Sequence, residues 1–194
     1  MIDVFNEIKD FIVFENEDDF FYLQILQRKK ENPQLCSNSR VIKNYYINDL
    51  EYLEKRYDEI KELCIKFNAR AMLRLNKRSK RKVAFKTMQN MANSMANGEY
   101  GSIKKSYDKA CGNGHNDKIK KWILDIDEPY TTEYLQEIRD AIKDVEPLGE
   151  KILKELPTKN GIHFITTPFN LQKFRLDFRD IEIHKDNPVN LFIP

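Results

Sequence analysis

The sequence predicts an α+β fold in which a mixed or antiparallel sheet is flanked by helices. Three observations predict it. Segments alternating at period two are interrupted by segments with helical spacing, two strand-like segments crowd the C-terminus, and no internal repeat or low-complexity tract runs through the 194 residues. That length suits a single domain with a substantial core, in which residues 1–67 are the less diagnostic N-terminal portion.

Residues 2–13 are amphipathic and lead through the acidic turn ENEDD to FFYLQILQRKK, a strand by its alternation and aromatic content. ENPQLCSNSR breaks the pattern and reads as a loop. From Asp49 to Phe67 the apolar residues Leu50, Leu53, Tyr57, Ile60, Leu63 and Cys64 recur at helical spacing, with Asn48 where an N-cap is expected. In ARAMLRLN, residues 69–76, Ala71, Leu73 and Leu75 alternate with Arg70, Met72, Arg74 and Asn76, giving a strand with one buried and one basic face. Val83, Ala84, Thr87, Met88, Met91 and Met95 then repeat at helical spacing until Asn97 and Gly98 stop the helix, and this methionine stripe is expected to pack in the core.

A loop from Gly112 to Gly114 precedes WILDID, residues 122–127, which reads as a strand. Thr131 or Thr132 caps a helix running through YLQEIRDAIKDV toward Pro147. The last strands lie in GIHFITTPF, residues 161–169, and DIEIHKDNPVNLFIP, residues 180–194.

Composition narrows the function classes. Hydrophobic residues at 41% and charged residues at 33% make a soluble globular balance, and the apolar runs are too short to cross a bilayer, so no membrane role is expected. The opening MIDVFNEIKDFIVFENEDDFF carries acids and lacks a basic leader or a cleavage site, so the expectation is cytoplasmic. Cys36, Cys64 and Cys111 are odd in number and widely spaced, which suits reduced thiols. Cys111 and His115, in CGNGH, would be half of a zinc site whose second pair is missing from the sequence. The net charge is only +2, yet Arg70 to Lys86 holds eight Lys or Arg and no acid, a block able to draw a polyanion.

The chemistry starts with WILDID. Its alternation turns Asp125 and Asp127 out of one strand face, roughly 6 to 7 Å apart, where like charges repel and a cation between them helps. An edge strand whose aspartates simply face water is the plain alternative. GIHFI adds His163, with Ile162 and Phe164 on the opposite face, and DIEIHKD adds Asp180, Glu182, His184 and Asp186 at one parity. With Arg70 and Arg74, these strands offer acids, imidazole and guanidinium groups for one shared surface. Hard divalent cations take oxygen ligands and join carboxylates to phosphates, which is how nucleotidyl transfer is commonly run. His184 is read outside that chemistry, as a hydrogen-bonding neighbour in its sheet, and His115 as a solvated loop residue.

In this order the residues resemble the archaeo-eukaryotic primases and primase-polymerases, whose motifs are a hydrophobic strand ending in Asp-x-Asp, a small residue-x-His on a strand, and a further acidic strand. WILDID resembles the first, TKNGIHFITTPF the second and IEIHKDNPVNLFIP the third, so the likeness covers residues 68–194. The resemblance implies an RRM-like catalytic core, Mg²⁺ or Mn²⁺ held by Asp125, Asp127 and Asp186, with Asp180 in reserve as the third acid. It implies nucleoside triphosphates as substrate, contacted by His163, Lys159, Gly161, Arg70 and Arg74. A single-stranded nucleic-acid template would meet Lys77, Arg78 and Lys82, and a helicase or other replication protein would be a working partner.

The departures are a glycine, Gly161, where serine is frequent in the family, and an end at Pro194 directly after the third motif. The second puts autonomous priming in doubt more than the nucleotide site. Two other enzyme readings are weaker. Lys159, Asn160 and Gly161 lack the intervening residue of the Lys-x-Asp/Asn-Gly motif used for covalent lysyl-nucleotides, and a sugar transferase using Asp-x-Asp leaves the Gly-x-His motif unexplained. The non-enzymatic alternative is a catalytically silent primase-like module that binds nucleic acid through its basic segment at 70–86.

Overall fold

The computed structural model describes residues 1–36, 38–113, 118 and 120–194. Two antiparallel sheets carry helices on their outer faces, so the α+β expectation holds. The opening segment is a short strand β1 (Ile2–Asp3) and one turn of helix α1 (Phe5–Ile8), which bury Val4, Ile8 and Ile12. The first sheet runs β1, β10 (Pro188–Ile193), β4 (Arg70–Arg74), β2 (Asp19–Gln27), β3 (Arg40–Ile47), with β5 (Arg78–Ser79) paired to the start of β2. The second runs β7 (Ile152–Pro157), β8 (Gly161–Thr166), β6 (Trp122–Asp127), β9 (Glu182–His184).

Helix α2 (Leu50–Phe67) lays Leu53, Tyr57, Ile60 and Cys64 on the first sheet, against Leu23, Ile25, Ala71 and Leu73. Its N-cap is Asp49, one residue later than expected: the Asp49 carboxylate accepts from the Tyr52 N–H at 2.6 Å, and Asn68 in the left-handed region (φ 44°) closes the other end. Helix α5 (Thr132–Asp144) is capped by Thr131, whose hydroxyl accepts from the Tyr134 N–H, and seats Leu135, Ile138 and Ile142 on Leu124, Ile126 and Phe164 of the second sheet. The opposite face of that sheet contributes Ile123 and Ile165 to the core of the first. Each such aliphatic side chain taken from water is worth about 1.5 to 3 kcal/mol, so the two sheets are held by a shared apolar core.

Helix α3 (Lys80–Ala96) overturns one expectation. Its inward residues are Val83 and Asn90, whereas Phe85, Met88 and Met95 are 63%, 65% and 54% exposed, so the methionine stripe faces out instead of filling the core. The side facing the protein packs beside α4 (Ser106–Asn113), where Ala110 and Cys111 meet Phe20 and Tyr22. Gly112 belongs to that helix and not to a loop, while Gly114 and His115 lie outside the described residues. Cys111 is a buried thiol whose pKa burial pushes up to about 12, which suits a packing role.

The two C-terminal strands, adjacent in sequence, belong to different sheets. Glu182–His184 pairs with β6, and after only three residues Pro188 begins pairing with β4. That crossing stitches the sheets together where polar residues of both converge. No helix among the described residues is long and apolar enough to cross a membrane.

Candidate functional site: a carboxylate–imidazole cluster on a cationic cavity

Asp125 stands at the centre of the second sheet and is opposed on both sides. Across β8 its register partner is His163, and across β9 it is Glu182. Directly paired residues of antiparallel strands share a face, so one carboxylate has an imidazole on one flank and a second carboxylate on the other. Two acids directly opposite each other destabilise a sheet unless a cation or proton donor intervenes.

One such donor is His163, whose Nε2 sits 3.1 Å from Asp125 Oδ1. This hydrogen bond holds the Asp125 carboxyl below the usual carboxylate range against the opposing effect of burial, with further help from the charge of Arg28. His184 does contact its sheet neighbour as expected, with Nε2 3.3 Å from Glu182 Oε2, and the contact brings its imidazole into the cluster. Ligand atoms of Asp125, Glu182 and His184 all lie within 4.8 Å of one another. Two carboxylate oxygens and one imidazole nitrogen at that spacing are a donor set that fits a divalent cation, the carboxylates suiting Mg²⁺ or Mn²⁺ and the imidazole the later, softer divalent metals.

The cluster forms one wall of a cavity of about 330 Å³ between the sheets. Arg28 and Lys30, just past β2, and Arg70 of β4 face it from the first sheet, and Lys159 stands on the β7–β8 turn. Asp127 lines the same cavity at the exposed end of β6. The cavity is thus acidic on one wall and basic on the other.

Several expected site residues are elsewhere. Asp186, preferred as the third acid, is not in the cluster. Arg78 grips both its oxygens at 3.0 Å, and Asn76 Nδ2 donates to Oδ1 at 3.1 Å. Arg78 itself is wholly buried and also donates to the Cys111 carbonyl, so it is unavailable to a template. Lys77 is likewise interior, 2.9 Å from Glu15 Oε1 and 3.2 Å from Asp19 Oδ2. Arg74 turns to Asp186 and does not line the cavity. Arg70 lines it, but its guanidinium is held in a forked ion pair by Glu31. Lys82 is exposed in the first turn of α3, beside Lys80, Arg81 and Lys86. Of the eight basic residues from 70 to 86, those four are the exposed ones.

Gly161 has a steric explanation. It pairs with Asp127, and a Cβ there would sit 2.0 Å from the Ile126 carbonyl oxygen and 2.9 Å from Asp127 Cα. A serine at this position would force β8 off β6, so the glycine serves the close approach of the strands that carry Asp127 and His163. Asp180 is exposed on a second, neighbouring cavity. Sequence reasoning missed Arg28 and Lys30 and the role of Glu182. The basic run after the FFYLQILQ strand was visible, but nothing local says that it ends opposite WILDID.

The chain matches no protein-family model, no curated protein and no solved structure.

Proposed function

We propose that the chain is a metal-dependent nucleotidyltransferase of the primase-polymerase kind, which adds nucleotides to a nucleic-acid strand using Mg²⁺ or Mn²⁺. One observation carries the reading: the Asp125, Glu182 and His184 ligand atoms gather within 4.8 Å on a cavity whose other wall presents Arg28, Lys30 and Lys159. The order of motifs supports it as well, with the third acid reassigned from Asp186 to Glu182. A four-stranded antiparallel sheet with helix α5 on one face and the carboxylates on the other also supports the RRM-like expectation.

Asp125, Glu182 and His184 would hold the first divalent ion, and Asp127 would contribute toward a second. When bound, such ions neutralise phosphoryl oxygens and lower the pKa of an attacking hydroxyl. The chain's own residues do the rest. Arg28, Lys30 and Lys159 draw the triphosphate into the cavity, where Arg70 adds charge from behind Glu31. His163 fixes the orientation of Asp125 and keeps it ionised. The acceptor hydroxyl oxygen bonds to the α-phosphorus as the bond to the bridging oxygen breaks, the electron pair leaves with pyrophosphate, and the hydroxyl proton passes through a carboxylate of the cluster to water. Lys82, with Lys80, Arg81 and Lys86, would hold the template phosphates outside the cavity.

The test is incorporation of labelled nucleotide by the purified chain with Mn²⁺ or Mg²⁺ on single-stranded template, with and without primer, beside a variant carrying Asp125→Ala and Glu182→Ala. Product from the parent alone sustains the reading. Salt-sensitive binding by both proteins with no product from either would replace it with a silent nucleic-acid-binding module.

A further inference from the structure

Asp125, Asp127 and Glu182 line two cavities, not one. Beside the cationic cavity, at the end of β6 where the chain turns into α5, lies a second opening of about 690 Å³. Its floor is Ile126 and Ile181, and its wall is Pro129, Tyr130 and Tyr134 from the turn into α5 and the first turn of that helix. Among the described residues its lining holds no lysine or arginine; the charged ones are all acids, Asp125, Asp127, Asp180 and Glu182. The carboxylates are therefore a partition between a compartment built for anions and a compartment built for a flat, uncharged, hydroxyl-bearing group.

We infer that the second cavity is the seat of the acceptor strand's terminal nucleoside, with its base against Tyr130 and Tyr134 and its sugar hydroxyl at the Asp127–Glu182 partition. This rests on the nucleotidyltransferase reading and extends it to the second substrate. Three features converge on that ligand. Aromatic side chains provide π-faces that any base can stack on, and Tyr134, 37% exposed and inclined to Phe178 at 6.0 Å between ring centroids, presents one to solvent. Tyr130 is half-buried against the α5 core, so its ring is a rigid platform rather than a free side chain. The absence of cations from the lining excludes the triphosphate from this side, while a neutral sugar hydroxyl is accepted well by carboxylates. Because Asp125, Asp127 and Glu182 line both cavities, a hydroxyl held at their edge lies next to the cationic cavity, where it can approach the α-phosphate on the side away from the leaving pyrophosphate, as in-line displacement demands.

The strand's own phosphates cannot follow the terminal nucleoside into a compartment of four acids. Only the end of a strand fits this description, not an internal stretch.

Two readouts on the full chain test the inference, using a Tyr130→Ala/Tyr134→Ala double variant and Tyr134→Phe. In the first, an oligonucleotide ending in 2-aminopurine is titrated with protein. The parent and Tyr134→Phe should quench its fluorescence on stacking, the double variant should not, and the same oligonucleotide labelled three positions from its end should be quenched by neither. In the second, the double variant should raise KM for the primer about tenfold, the scale of one base-stacking contact, with KM for the nucleotide unchanged. Thermal melting of the double variant near the parent's shows that the loss is local. If the parent incorporates nucleotide and the double variant keeps its primer KM and quenching, or if end and internal labels are quenched alike, the inference is overturned and the activity stands. If the parent incorporates nothing, the activity is wrong, while quenching lost only in the double variant still sustains a base-binding cavity.

Discussion

Arg78 and Asp186 form a bidentate ion pair, Nη1 and Nη2 each 3.0 Å from a carboxylate oxygen, with the Arg78 side chain entirely out of water and that of Asp186 about one-fifth exposed. The pair joins β5, just ahead of α3, to the crossing between the sheets, and Asp186 is the acid that Arg78 meets among the described residues. Replacing Asp186 with Asn should cost about 3 kcal/mol, the lower end of the range for breaking a buried pair because of that partial exposure. Chemical denaturation checks it. An unfolding midpoint equal to the parent's would mean that the pair does not hold the crossing together.

Glu182→Gln should do the reverse. Its side chain is 74% exposed, so stability should stay within about 0.5 kcal/mol of the parent. Nucleotide incorporation should fall by roughly a hundredfold or more as one metal ligand is lost, and Mn²⁺ affinity measured by calorimetry should fall with it. The contrast between the two acids separates a ligand from a strut.

Gly161→Ala is expected to destabilise the second sheet by about 1 to 3 kcal/mol, since a methyl group 2.0 Å from the Ile126 carbonyl oxygen must push β8 away from β6. Amide exchange should quicken first at the Asp127 end of β6. Unchanged protection there would remove the steric account of this glycine.

Acid sensitivity should trace to Asp19. Burial pushes its carboxyl upward, but N–H donors of Glu15 and Asn16 and the Lys77 ammonium outweigh it and leave the folded pKa below the ordinary value. A depressed folded pKa means that the stabilisation is complete above about pH 4 and is lost as pH falls through the lower, folded value. The parent should therefore lose stability steeply in that acid window. Asp19→Asn should be less stable at neutral pH and flatter below it, as read from urea midpoints across a pH series.

Salt dependence distinguishes the surface cations from the interior ones. Lys82→Ala should reduce the slope of log affinity for single-stranded nucleic acid against log salt by about 1, the signature of one lost phosphate contact. Lys77→Met should leave that slope alone and lower the melting temperature, because Lys77 is only 4% exposed and neutralises Glu15 and Asp19.

Local pattern was enough for much of the chain. WILDID, GIHFIT and ARAMLR declare strands by their apolar alternation, although the first two bury apolar residues on both faces, and α2 and α5 declare helices because each buries one stripe. The strands β3 and β7 were missed for the same reason in reverse: both are sheet edges, exposed along much of their length, so no strict alternation is imposed on RVIKNYYI or ILKELP. The stripe on α3 shows the limit from the other side, since a period of 3.6 marks an apolar face without saying whether anything covers it.

By itself the sequence determined that Asp125 and Asp127 share a strand face, that His163 stands on another strand, and that Asp180, Glu182, His184 and Asp186 share a parity. Only the tertiary structure decided which of those late acids meets Asp125, because pairing register and the crossing between sheets are set by long-range packing and not by alternation. Glu182 falls opposite Asp125 in the ladder, whereas Asp186, four residues on, has left the strand and neutralises a buried arginine. The same logic turned half of a basic block inward: a charge reads alike in sequence whether it faces solvent or a carboxylate in the interior, and the fold alone supplies the partner.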